Sequence, residues 1–490
     1  MPLTRSDAPS LRLALEGLTA RAGEILRRHW AFATLTLLGV ALRVVVTITY
    51  RPALFFTGDS VVYLNNAADL APGEARPAGY ALFLKAILPL HELLLVPVVQ
   101  HVLGVAIAIA LYALMIRLGI NRTLSVLAAA IVLFDPLQLV IEQHILSEPL
   151  FQALMVAGLV LLLWSPKPGL WACTGIGVLL AAATMTRTAG LVLVVPVLIY
   201  AAVRRFGWQR LAIIAGAFAI PLVGYALWFQ AENGRFNLSN YTGRFLYGRV
   251  APFADCANTS RDATQQALCP EGTPATRNPW PTWWVFGPPS PFGKEPLVGS
   301  PNIDQEALRF ALTTVWQQPG TYARTVAADF LDYFAFPRAT DANDDPIDID
   351  FPFRIDKLTA YPVPEIDGWI KRAEGSDSAR GTVVEPLARA LDSWARHFYV
   401  PGPLFALALV LGVAGACVRP GKGTGDLRAA SGLFAASAIL LMVLPVASVV
   451  FDYRHMVPAF PLIGPAGAIG ATVLWSRYRA WPRKTSAAKD

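Results

Sequence analysis

The run Trp30-Ala-Phe-Ala-Thr-Leu-Thr-Leu-Leu-Gly-Val-Ala-Leu-Arg43-Val-Val-Val-Thr-Ile-Thr49 decides the fold class, together with Thr57-Gly58-Asp59-Ser60-Val61-Val62-Tyr63 just beyond it. A helix of about 20 apolar residues crosses about 30 Å of hydrocarbon, and the first run has that length with a single charge inside it, Arg43. The second run is polar and carries a carboxylate, so the chain has left the apolar phase by Asp59. The same alternation recurs along the 490 residues, long uncharged stretches giving way to stretches that read as soluble sequence. Only 15% of the residues are charged and 54% are hydrophobic, whereas soluble domains carry about a quarter charged residues. A soluble globular protein is excluded; the chain is an integral membrane protein.

Working outward, the span criterion predicts about ten helices, near 30–49, 93–116, 123–141, 149–165, 170–186, 189–203, 211–230, 402–418, 430–449 and 457–475. With the N-terminus inside, the inward connections hold Arg117–Arg122, Lys167, Arg204 to Arg210, Arg419 to Arg428 and the tail from Arg477 to Lys484, with Asp426 the one acid before Asp490. The short outward connections carry Glu142, Glu148 and Asp452 instead. This bias follows the positive-inside rule and places both termini in the cytoplasm. It also accounts for the net charge of +7 without nucleic acid as a partner. Arg5, Arg12, Arg21, Arg27 and Arg28 precede the first run with no small-residue cleavage site after it, which reads as a signal anchor.

The expected organisation is an amphipathic cytoplasmic segment (1–29), a transmembrane core (30–230) with a long first outer loop (50–92), an exoplasmic insert (231–400), C-terminal spans (401–476) and a basic tail (477–490). The insert is rich in Pro, Gly, Trp and Tyr, with a loop-rich first half, a helical middle over 304–334 and an acidic loop over 341–356. Its two cysteines, Cys256 and Cys269, are the plausible disulfide if the insert faces an oxidising compartment.

Chemistry concentrates at the outer edges of the spans. Asp59 opens a short helix; Tyr63 and Asn66, four and seven residues on, share its face. A carboxylate there can take a proton from an acceptor hydroxyl, or simply cap the helix. Arg76-Pro77-Ala78-Gly79-Tyr80 follows, and Tyr80–Leu90 is an apolar stretch, carrying Lys85, that is too short to span. Arg187, Arg244, Arg249 and Arg454, with Lys85, stand at outer edges against the charge bias. They can hold a lipid phosphate, snorkel, or pair with nearby acids. Arg43, inside the first span, either pairs with an inward-facing acid or snorkels.

The first outer loop resembles that of the GT-C glycosyltransferases, especially the branch containing the aminoarabinose transferase and the protein O-mannosyltransferases. Three further stretches resemble the same branch: Leu133-Phe-Asp135-Pro136 through His144-Ile-Leu-Ser147-Glu148-Pro149, Ala181-Ala-Ala-Thr-Met-Thr-Arg187-Thr-Ala-Gly190, and Asp452-Tyr-Arg454-His455. The resemblance covers about 30–230 and the last span, not the insert. It implies an all-α polytopic GT-C-like fold and an inverting transfer with Asp59 as general base. It further implies that Glu148 is a second carboxylate in the same cavity and that Arg187 and Arg454 are bases at its edge. Ser60 stands where many relatives carry a second acid, which weakens any paired-acid metal site.

The expected function is therefore transfer of a sugar from a polyprenyl-phosphate donor to an extracytoplasmic acceptor (polysaccharide, glycolipid or protein) at the outer face of a plasma membrane. The donor phosphate would meet Arg187, Arg454, Arg244, Arg249 and Lys85. Tyr63, Asn66, Arg76, Tyr80, His144 and His455 would line the cavity. No organic cofactor is needed; a divalent cation is compatible with the pattern but not indicated. The rival is a transporter of lipid-linked saccharides, which would place ionisable groups near mid-membrane and show inverted repeats; here the spans are nearly free of acids at mid-depth and no repeat is evident. Asp341-Ala-Asn-Asp-Asp345 opens like a calcium loop, but Pro346 and Pro352 replace the required Gly and Glu. The run Trp280 to Phe286 suits sugar stacking or insertion at the membrane interface.

Overall fold

The computed structural model describes residues 24, 27–56, 58–256, 262–338, 353–359, 364–419 and 425–480. The amphipathic start, most of the acidic loop with its calcium-like pattern, and the end of the basic tail lie outside the described residues.

Each apolar run forms a helix. In chain order these are α1 (Trp30–Thr49), two outer helices α2 (Asp59–Asp69) and α3 (Gly79–Ile87), then α4 (Leu95–Arg117), α5 (Arg122–Phe134), α6 (Pro136–Gln143), α7 (Glu148–Leu163), α8 (Leu170–Thr186), α9 (Val194–Val203) and α10 (Trp208–Asn233). The insert adds α11 (Thr242–Val250), α12 (Ile303–Gln317), α13 (Pro319–Asp332), α14 (Pro364–Ala373) and α15 (Glu385–His397), and the chain closes with α16 (Gly402–Cys417), α17 (Gly425–Ser448) and α18 (Phe460–Ala480). Among the described residues, 5 helices cross a membrane by length and composition, up to 7 when each bent pair counts as one span, and shorter apolar helices lie between them. Leu37, Ile220 and Val410 project from α1, α10 and α16 as exposed apolar side chains that lipid would cover.

Two expectations about the spans need correction. The stretch 123–141 is not one helix: α5 and α6 meet at 45°. Asp135 is extended at the break, Pro136 cannot continue α5's hydrogen bonding, and the Asp135 carboxylate accepts from Leu137 N at 3.0 Å and Val400 N at 3.1 Å. Glu142, expected in an outward connection, instead lies buried on α6, where its carboxylate accepts from Arg43 Nε at 2.8 Å and Nη2 at 2.9 Å. Arg43 pairs rather than snorkels. The last spans pack through small residues: a Cβ on Gly467 would come within 2.8 Å of the Ala408 Cβ, so α16 and α18 approach closely.

The long segment 50–92 after α1 is laced to the insert. Tyr50–Arg51 pairs antiparallel with Thr382–Val383, while Leu54 bridges His144 and Phe55 bridges Thr359. The insert has its own core of Tyr247, Val250, Leu268, Trp284, Phe310 and Ala311. Trp284 is therefore interior to the insert, its Nε1 donating to Asn278 O at 2.9 Å, rather than an interfacial anchor. Cys256 and Cys269 are joined in a disulfide, Cα atoms 6.2 Å apart. A loop of this size contributes about 3 kcal/mol. Reduction, or Cys269→Ser, is expected to lower the insert's stability by roughly 2–4 kcal/mol. Proteolysis of the full chain between α11 and α12 measures this; equal protection with and without reductant would refute it.

Candidate active site

Five elements converge above the bundle. The N-terminus of α2 supplies Asp59, and the turn before α3 supplies Arg76. The start of α7 supplies Glu148 with Ser147. The break after α8 supplies Arg187, and the 3-10 turn before α18 supplies Arg454. Local sequence explains each placement. Arg187 is extended (φ −146°, ψ 126°), where the α-helix stops before a 3-10 turn. Asp452 accepts from Arg454 N at 2.8 Å, which fixes the turn that carries Arg454. A Cβ on Gly79 would lie 2.6 Å from the Met185 carbonyl oxygen, so glycine alone lets α3 close on the end of α8.

The charged groups form one chain of ion pairs. Asp59 Oδ1 accepts from Arg76 Nε at 2.9 Å and lies 2.8 Å from its Nη2; Asp59 Oδ2 lies 2.6 Å from Arg454 Nη2. Arg454 Nε donates in turn to Glu148, which Arg187 Nη1 meets at 2.8 Å. Ser147 Oγ sits 2.9 Å from Tyr63 Oη and accepts from Arg187 Nη1 at 3.1 Å. Three guanidiniums against two carboxylates leave this chain one positive charge in excess. Asp59 is no side-chain cap: no capping hydrogen bond forms at α2, and its carboxylate serves the arginines.

These groups line a cavity of ≈ 340 Å³, within the range of small-ligand sites. Arg76 and Arg187 reach it with 29% and 17% of their side chains exposed, whereas Arg454 at 5% is a deep bridge between the two acids. Beside the charged groups the lining is apolar, with Ala189, Leu191 and Val192 from the turn after Arg187 and Leu444, Pro445 and Val449 from the end of α17 and the residue after it. Leu191 is exposed, so this wall reaches the molecular surface.

Burial alone would raise the Asp59 carboxyl, but Arg76 and Arg454 outweigh it and hold it well below its ordinary value of 3.8. Because the folded value lies below the unfolded one, its stabilising contribution is complete above about pH 4 and is lost only as pH falls through the lowered value. Asp59 is thus ionised throughout the neutral range. A reaction that used this carboxylate is therefore expected to show no acid limb from Asp59 in kcat/KM between about pH 5 and 8. A limb near pH 6 that vanishes in Asp59→Asn would contradict this assignment.

Of the residues singled out in the sequence, Asp59, Tyr63, Arg76, Arg187, Arg454 and His455 line this cavity, with Glu148 paired behind it. The others lie elsewhere. Tyr80 Oη donates to Gln100 at 2.9 Å, Asn66 is packed against Gly73, and His144 is buried with Nδ1 2.7 Å from Val140 O. Lys85 is exposed and donates to Ala68 O at 3.1 Å; Arg249 is buried against Asp329 at 2.6 Å; Arg244 faces a different cavity. Ser147, Phe245 and Thr242 were missed. Ser147 alone had a signal, as the neighbour of Glu148. Among the described residues, no group of three or more His, Cys, Asp or Glu is placed to hold a metal ion.

Fold and site together define a polytopic, all-α membrane protein with a charged cavity where its helix ends and connecting turns meet. Within it, residues 94–233 match the family model of dolichyl-phosphate-mannose-protein mannosyltransferase. No curated protein sequence matches the chain. Among solved structures it is similar to the archaeal oligosaccharyltransferase AglB from Archaeoglobus fulgidus, determined in complex with an inhibitory peptide and a dolichol-phosphate. The two are 12% identical with a TM-score of 0.42, over 95% of this chain and 53% of that one. The chain thus spans about half the length of that structure.

Proposed function

We propose that the protein is an inverting glycosyltransferase that moves a sugar from a polyprenyl-phosphate to an extracytoplasmic acceptor. The observation that carries this reading is a single cavity lined both by arginines and by apolar side chains, one of which, Leu191, is exposed at the surface. A lipid phosphate has that same division. Its head would engage Arg76 and Arg187, whose side chains are partly exposed, and its chain would leave between the turn at Thr188–Leu193 and α17. The match over residues 94–233 to a family named for a lipid-phosphate sugar donor supports the same chemistry.

In the reaction the acceptor oxygen attacks the anomeric carbon from the face opposite the phosphate. The bond from that carbon to the phosphate oxygen breaks, the lipid phosphate departs, and the hydroxyl proton passes to Asp59. Without donor, Asp59 is locked between Arg76 and Arg454 and is a weak base. An incoming phosphate competes for Arg76 and so raises the basicity of Asp59 only when donor is present. Arg187 and Arg454 offset charge on the departing phosphate. The charge bias of the loops and the disulfide in the insert support an outward-facing site and cytoplasmic termini.

The test is transfer by the purified full chain in bilayer discs, given radiolabelled polyprenyl-phosphate sugars and a cell-envelope extract. Label is expected to move from lipid to acceptor. Arg187→Gln is expected to weaken donor binding about tenfold, the effect of one charge-assisted hydrogen bond. Donor binding without transfer across the whole panel would favour the transport reading instead.

A further inference from the structure

A second cavity, of ≈ 550 Å³, lies in the insert and is lined by Tyr241, Arg244, Phe286, Ser290, Phe292 and Lys294 among others. Its described lining contains two cations and no acid. The Arg244 guanidinium carbon lies 4.4 Å from the Tyr241 ring centroid and 5.8 Å from that of Phe292. Its Nε is buried without a hydrogen-bond partner. The nearby acid, Asp304, accepts from Arg244's backbone N–H at 2.9 Å, so it serves the first turn of α11.

This cavity shares a wall with the active site. Ser239, Thr242 and Phe245 face the active-site cavity, whereas Tyr241 and Arg244 of the same segment face the outer one. Within α11, Thr242 and Phe245 are three apart and share a face, while Arg244 lies on a different one. The Phe245 ring centroid lies 5.8 Å from that of Tyr241 and 6.0 Å from that of Phe286, and the Arg76 guanidinium carbon lies 5.6 Å from the same Phe245 centroid. An aromatic partition thus stands between Arg76 and Arg244.

We propose that the outer cavity is the acceptor subsite and that it takes an anionic sugar, a pyranose bearing a carboxylate or a phosphate. The inference rests on the glycosyl-transfer reading above. Aromatic faces suit the apolar face of a sugar ring, and Arg244 and Lys294 supply its charge partners, the guanidinium fork matching either anion. The charged ring held there anchors an acceptor whose neighbouring portion carries the reacting hydroxyl around Phe245 to Asp59. The cavity volume falls in the range of small-ligand sites.

The experiment is calorimetric titration of the full-length protein in zwitterionic bilayer discs with trigalacturonic acid, mannose 6-phosphate and neutral maltotriose. At least one anionic probe is expected to bind about tenfold more tightly than maltotriose, with Arg244→Gln and Lys294→Gln each weakening it about tenfold. The probe that responds identifies the anion as carboxylate or phosphate. Lys294 is exposed, so its variant reads charge without disturbing the core. Equal binding of charged and neutral probes would overturn the proposal. So would anion binding lost in Arg187→Gln but kept in Arg244→Gln, which would place the anion at the donor site. Arg244-dependent binding with no label transfer would retain the anionic-sugar site and overturn the transfer reading, so the two failures are distinguishable.

Discussion

Asp59→Asn is expected to lower the transfer rate by about 10²–10⁴-fold, the range for loss of a positioned general base, with donor affinity kept or increased. Asparagine keeps the shape of the side chain and removes its charge. The cluster of three arginines and two acids then loses one acid, so its positive excess rises and a phosphate binds at least as well. The loss should therefore fall on kcat, with KM for donor unchanged or lower. Asp59→Glu restores a carboxylate on a longer arm and is expected to recover part of the rate. A variant that raised KM while sparing kcat would make Asp59 a donor-positioning residue. Equal rates in Asp59→Asn and wild type would move the base to Glu148, which Ser147, Arg187 and Arg454 surround.

Glu142→Gln is expected to have the largest effect on stability, about 3–5 kcal/mol, by leaving a buried guanidinium without its anion. Glu142 and Arg43 are both buried, and the acid's oxygens also accept from Gln138 at 2.9 Å and lie 2.8 Å from His101 Nδ1. Arg43 donates further to Leu133 O at 3.0 Å and Val132 O at 2.8 Å, carbonyls that end α5 at the break before α6. The pair therefore fastens the broken helix to α1. A thermal midpoint measured in detergent reads the loss. Arg43→Leu combined with Glu142→Gln removes the stranded charge and should recover much of it, which a double-mutant cycle would quantify. A drop of less than about 0.5 kcal/mol in Glu142→Gln would place this pair with solvated ones.

The sequence by itself determined that this is a helical membrane protein and where most of its apolar helices lie, and it pointed to one set of span ends as the place of its chemistry. Those properties are local: about 20 apolar residues suffice to cross a bilayer wherever they occur, and a charge beside a span is visible in a short window. It also singled out Asp59, Glu148, Arg187 and Arg454, because the two bases stand at span edges against the charge bias and all four fall in stretches that resemble one family's motifs. Only the tertiary structure decided that these four meet, and that Arg76, read as a cavity residue, completes the chain of pairs. It separated Arg244 and Arg249 from that cluster, although in sequence they look equivalent to Arg187. It broke 123–141 at Asp135 and turned Glu142 onto Arg43, a partner 99 residues away. The physical reason is the same in each case. A span is stabilised by its own composition against lipid, but the partner of a side chain is chosen by the packing of segments far apart in the chain.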